Sequence, residues 1–258
     1  MDKNAFRLKK FHPLTEILVF LIPAAVFVVF FYFVTPLFET MGLNPYYAYL
    51  LSLGIPLFLL GISAIIGYML EIRSFSIKGI LKRFRFHPIR GKDWLVLAVV
   101  FAVEMVFFIL FNYINLKLLE SGNIPLPAGI PEAADPLGST GLAFIESCVG
   151  TLKGNWTVFL ITLIALIINV VGEEMWWRGY IYPRQIANRG KFVWIFHGLL
   201  WALFHSYKYW DMLILIPVCI GLSYAVYKTK NSSSGLVFHF ITNGTAVISI
   251  LAAVIWGT

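Results

Sequence analysis

The chain has 258 residues, 59% of them apolar and only 13% charged, against roughly 25% charged residues in an ordinary soluble domain. A water-soluble fold of this size has nowhere to hide so much apolar surface, which excludes that class. The net charge of +7 does not indicate nucleic acid as a partner: the basic residues lie between apolar runs and form no stripe interleaved with base-stacking aromatics.

In chain order, the first apolar run starts near Thr15, is longer than a signal-peptide core and lacks a small-x-small exit, so it reads as a retained span. A hydrocarbon core about 30 Å thick needs roughly 20 apolar helical residues. Such runs fall near 15–38, 46–70, 93–115, 155–178, 192–208, 212–228 and 235–256. This predicts an all-α polytopic membrane helical bundle of about seven to eight spans. It forms one integral-membrane domain over 1–258, with the lipid bilayer as its solvent. The fifth and sixth runs are short, which suits a broken or tilted helix. The connection 116–154 contains Pro125, Pro127, Pro131 and Pro136 and reads as a loop that regains a short helix near 142–149. Cys148 and Cys219 give neither a metal spacing nor a disulfide framework.

Charge sets the expected orientation. Lys3, Arg7, Lys9 and Lys10 precede the first span. Arg73, Lys78, Lys82, Arg83, Arg85, Arg90 and Lys92 follow the second. Arg178, Arg184, Arg189 and Lys191 follow the fourth, and Lys228 and Lys230 the sixth. These alternate connections hold 17 of the 20 basic residues, so the positive-inside rule places them and the amino terminus in the cytoplasm, with the plasma membrane as the expected location. The segment 74–90, where Phe75, Ile77, Ile80, Leu81 and Phe84 alternate with basic residues, reads either as a helix along the inner leaflet or as a solvated loop.

Ionisable groups inside spans are expensive and usually face the bundle interior or a wet cavity. The fourth run ends in Val171-Gly-Glu-Glu-Met-Trp-Trp-Arg-Gly-Tyr180. Neighbours on a helix point about 100° apart, so Glu173 and Glu174 serve different directions. Glu174 and Arg178, spaced i, i+4, can pair on one face and leave Glu173 free to aim into a cavity. A plainer reading is a helix-end ion pair beside an interfacial belt of Trp176, Trp177 and Tyr180. The fifth run brings His205, with His197 two turns earlier as a structural residue. The seventh brings His239 and Asn243, again i, i+4. Two neutral donors on one face suit an oxyanion hole, or equally a polar clasp between helices. Glu104, midway along the third run, could border the cavity or make an interior hydrogen bond.

Taken together, these residues resemble the CPBP family of intramembrane proteases, also called the Abi or CAAX-protease family. Its pattern is E-E-x-x-x-R, then F-x-x-x-H, then H-x-x-x-N on successive membrane helices. Here it is carried by Glu173, Glu174 and Arg178, by His205, and by His239 and Asn243, with Trp201 standing where the family usually has phenylalanine. The resemblance covers roughly 155–256. It implies hydrolysis of a peptide bond in a membrane-associated protein or peptide. Glu173, assisted by His205, would activate water; His239 and Asn243 would bind the oxyanion; Glu174 and Arg178 would orient the site. No cofactor is required on that reading. The rival is zinc, with Glu173, His205 and His239 as a His₂Glu set and an open position for water. A straight-helix reading leaves one conflict. It puts Glu173 and His239 near the cytoplasmic end but His205 about 20 Å deep, so convergence requires deeper carboxylates or a later, tilted fifth span. Two other functions compete: a non-catalytic scaffold that keeps the polar cluster for packing, and a proton-coupled carrier. The carrier is disfavoured because the first two spans contain almost no polar groups.

Overall fold

Capping residues set where the helices begin. In the computed structural model, which describes residues 10–138 and 141–257, the side chains of Asn44, Asn155 and Asn231 each accept a backbone N–H at the entrance to a helix, and Ser76 does the same. Pro13 and Pro45 supply first-turn residues with no N–H to leave unsatisfied. The elements are α1 (Pro13–Thr40), α2 (Pro45–Ile72), α3 (Ile77–Arg83), α4 (Gly91–Glu120), α5 (Gly141–Val149), α6 (Trp156–Glu174), α7 (Tyr182–Arg189), α8 (Val193–Phe204), α9 (Met212–Thr229) and α10 (Ser232–Trp256). No strand occurs among the described residues. Lys3, Arg7 and Lys9 lie outside them.

The chain is an integral membrane bundle. Five helical runs are long and apolar enough to span: α1, α2, α4, the 74 residues of Trp156–Thr229, and α10. The count of seven to eight spans is met only as these five, because the fourth run turns back twice without a clean break. Within it α8 has 12 residues, about 18 Å, too short to cross a core of about 30 Å alone.

Proline explains two widened turns. A proline in a helix lacks an N–H and crowds the carbonyl four residues earlier. Before Pro36 the helix opens into a π turn over Phe30–Val34, and before Pro183 into another over Met175–Ile181. The second turn carries the helix past the acidic motif and on through α7 to Arg189. The Gly179 carbonyl, four residues before Pro183, is taken by Arg83 Nη1 at 3.2 Å. Glu173 is therefore in the middle of a long helical path rather than at its end.

The basic connections converge on one end of the bundle. Arg83 pairs with Glu71 at 3.0 Å, and Arg184 pairs with the same carboxylate. Burial pulls the Arg83 guanidinium down to about 10, so it remains charged at neutral pH. His87 and Asn231 exchange two backbone–side-chain bonds of 3.2 and 3.0 Å, and Arg189 reaches the buried Glu16 at 2.7 Å. In the segment 74–90, Ile80 and Phe84 are buried while Phe75, Ile77 and Leu81 are exposed. The opposite end is built from the long connection: Asn44 bonds the Cys148 carbonyl, and Gly154 N–H bonds the Val254 carbonyl at 2.9 Å.

Around the acidic motif, small residues let backbones touch. A Cβ on Gly172 would sit 2.2 Å from the Leu57 carbonyl oxygen, and one on Gly235 would sit 2.4 Å from Glu174 Oε2. Glycine is what allows α2 and α6 to cross this closely. Gly172→Ala is expected to force them apart, lowering stability by about 2–3 kcal/mol and displacing both glutamates. Thermal unfolding in detergent checks this; an unchanged melting temperature would show that α2 yields without cost.

Candidate active site

Trp201 is the hub of the site. Its indole N–H donates to Glu173 Oε2 at 2.7 Å, and Trp177, one turn beyond Glu173, donates to the same oxygen at 3.0 Å. The Trp201 carbonyl accepts Nδ1–H of His205 at 2.9 Å. That bond fixes the imidazole tautomer and leaves Nε2 with its lone pair. Glu173 and His205 share no direct hydrogen bond; they are joined through Trp201.

Glu174 organises the second half. Its Oε1 accepts from Arg178 Nη1 at 2.8 Å and from His239 Nδ1 at 3.0 Å. Carboxylate and guanidinium are both fully buried, and the guanidinium carbon lies 3.5 Å from the centre of the Trp201 ring, a cation–π contact. The i, i+4 pairing expected of Glu174 and Arg178 is thus present. With Nδ1–H on Glu174, His239 Nε2 faces Asn243 Nδ2 at 3.1 Å, and that amide also donates to Asn169 Oδ1 of α6 at 3.2 Å. In this geometry the oxyanion arrangement expected of His239 and Asn243 is not formed. One helical turn brings the two side chains into contact, so His239 Nε2 accepts from Asn243, and of the two residues Asn243 alone has a further N–H, now on Asn169.

Glu173, Trp201, His205, His239, Asn243 and Asn169 line a cavity of about 550 Å³. The depth conflict in the straight-helix reading disappears because the helix continues beyond Glu173 to Arg189, so that Glu173 lies roughly as far from that end as His205 lies from Val193, about 20 Å in each case. On α6 the lining runs from Thr162 to Glu173, about 9 to 26 Å from Trp156 along the axis. The hollow therefore extends from mid-bundle towards the end opposite the basic connections. Arg178 and Glu174 lie behind its wall.

Several expectations fall elsewhere. Trp177 is fully buried and stacks on Phe20 at 4.5 Å, and Trp176 bonds the Val19 carbonyl, so the aromatic residues after the motif pack inside rather than forming an interfacial belt. Glu104 does not line the cavity; it faces Gly221 of α9, and the interior hydrogen bond expected of it is absent, both oxygens being buried without a partner. His197 is fully buried and donates to Gln185 Oε1 at 2.6 Å, as a structural residue should. Among the described residues no three His, Cys, Asp or Glu side chains gather closely enough to hold a metal, so Glu173, His205 and His239 do not stand together as a His₂Glu set in this arrangement.

Sequence reasoning missed Trp177, Asn169 and the hydrogen-bonding role of Trp201. Spacing held a signal for the first two, at i+4 and i−4 from Glu173. The tryptophan at 201 is more than an aromatic wall, because phenylalanine cannot donate to Glu173. Trp201→Phe should remove one charge-assisted bond and weaken the contact with Arg178, costing about 1.5–3 kcal/mol. Cleavage is expected to persist within about tenfold of wild type, since Trp177 still holds the carboxylate. Melting curves and turnover measured together test this; a hundredfold fall in turnover would show that Trp177 alone cannot hold the Glu173 carboxylate in place.

Fold and site define a polytopic helical membrane protein with a buried centre of carboxylates, histidines and asparagine. Residues 155–245 match the model of the type II CAAX prenyl endopeptidase Rce1-like family, and this stretch, about a third of the chain, contains all three motifs. The resemblance to the CAAX-protease family is therefore a family match over the segment that holds the three motifs. Comparison with curated proteins and with solved structures gives no match.

Proposed function

We propose that the chain is an intramembrane endopeptidase that hydrolyses a peptide bond in a membrane-associated protein or peptide. The observation that carries this reading is Glu173. It is a carboxylate 3% exposed, held by two indole N–H groups on one oxygen, on the wall of a cavity shared with His205, His239 and Asn243. A group built only for packing has no need of a hollow in front of it. The match to an endopeptidase family over the same residues agrees.

In this reading Glu173 takes a proton from water, and the hydroxide attacks the carbonyl carbon of the substrate. His205 Nε2 accepts a hydrogen bond from the remaining O–H and so aims the nucleophile. Asn243, exposed to the cavity, exchanges its bond to Asn169 for one to the developing oxyanion and keeps its other N–H on His239. The leaving amine receives the proton from Glu173 as the C–N bond breaks. Glu174 and Arg178 hold His239 from behind. The basic end faces the cytoplasm, by the positive-inside rule.

The test is hydrolysis. Full-length protein in liposomes, offered an internally quenched peptide library, should cut a subset of it, and cutting should continue with a chelator present. Failure to cut any member, with the protein shown to be folded, would favour the scaffold.

A further inference from the structure

We propose that Lys208 binds a carboxylate of the substrate within the cavity. The ligand's being a peptide rests on the endopeptidase reading. The charged groups of the cavity wall are Glu173, in the centre described above, and Lys208, which lies beside Tyr49 and Tyr207. Lys208 is the one lysine or arginine on that wall.

Its existing partner leaves room for a ligand. A lysine among membrane helices normally pairs closely or reaches water. The ammonium of Lys208 is 3.6 Å from Asp211 Oδ2, with 23% of its side chain exposed, beyond a direct hydrogen bond. The backbone leaves helical geometry at this residue alone in the turn 205–211, with φ −122° and ψ 58°. Lys208 therefore has a long ion pair with Asp211 and the Tyr207 ring 5.8 Å away, and it keeps ammonium donors for a ligand in a hollow whose other charged wall residue is Glu173.

Distance makes a carboxylate the fitting ligand. Trp201 touches Glu173, and Lys208 comes seven residues later through a helical turn and a tight 3₁₀ turn, on the order of 10 Å at 1.5–2 Å per residue. A few extended residues cover that span. A peptide whose scissile carbonyl stands before Glu173 can then place a negative group on Lys208, either its own carboxyl terminus or an acidic side chain.

Binding calorimetry on the full chain, in the Glu173→Gln background so that probes stay intact, tests the assignment. The probes are the tetrapeptide Ala-Leu-Phe-Ala as free acid, the same peptide as carboxyl-terminal amide, and the amide Ala-Leu-Phe-Glu. The acid should bind about tenfold more tightly than the first amide. Lys208→Met should erase that difference and Lys208→Arg should keep it. Recovery of affinity by the glutamate amide identifies a side-chain carboxylate as sufficient; its absence assigns the terminal one. Equal binding of acid and amide, no binding of the acid, or discrimination that survives Lys208→Met overturns the proposal. Should Lys208→Met fail to fold, the comparison of acid with amide in the Lys208-containing protein still decides. Parallel cleavage assays with Glu173 intact separate the two ideas. Peptides discriminated but never cut would sink the endopeptidase reading alone, and peptides cut without discrimination would sink this one alone.

Discussion

Glu173→Gln is expected to lower the rate of peptide hydrolysis by at least about a thousandfold, within the upper range for loss of a general base, while leaving the fold nearly unchanged. The carboxamide oxygen can still accept the indole N–H groups of Trp177 and Trp201, which now reach Glu173 Oε2 at 3.0 and 2.7 Å. What it cannot do is take a proton from water. Unfolding in detergent should therefore shift little, and an uncleaved probe peptide should bind with affinity close to wild type. Glu174→Gln provides the contrast, since Glu174 holds Arg178 and His239 and does not line the cavity. It should cost both stability and rate. If the two variants lose rate equally and Glu173→Gln also melts early, Glu173 is a packing residue and the mechanism fails.

The parts of this site that depend on local spacing were legible in the amino-acid sequence. The i, i+4 relation brings Glu174 to Arg178 and His239 to Asn243, and periodic apolar runs place the helices to within a few residues. Depth was not legible, because it depends on how the chain continues past the motif. The π turn before Pro183 lets the helix run on through Arg184 to Arg189, and a straight-helix reading that stops near Arg178 puts Glu173 too close to the membrane edge. Contacts between distant segments were hidden for a different reason. Arg83 bonding the Gly179 carbonyl, Trp201 donating to Glu173 and Asn169 meeting Asn243 depend on helix rotation, which hydropathy does not report. The likeness of Trp201 to phenylalanine in size and apolarity concealed its one polar atom, and that atom ties two motifs together.

Arg178→Met should be the most destabilising of the conservative-volume changes, lowering stability by about 3–5 kcal/mol, because it leaves Glu174 as a buried charge without its partner. The pair is fully buried, with Nη1 to Oε1 at 2.8 Å, and Glu174 Oε2 already lacks a partner. His239 then becomes the remaining donor to that carboxylate and should be pulled away from Asn243, so cleavage should fall with stability. The double variant Glu174→Leu with Arg178→Met removes both charges, and replacing a buried ion pair by apolar groups of similar size is often neutral or better for stability. It should therefore melt near wild type yet remain inactive, since nothing holds His239 Nδ1. That split assigns the pair to orientation of the site rather than to holding the bundle together. A double variant as unstable as Arg178→Met would instead make the pair part of the bundle's framework, and an active double variant would show that His239 needs no carboxylate behind it.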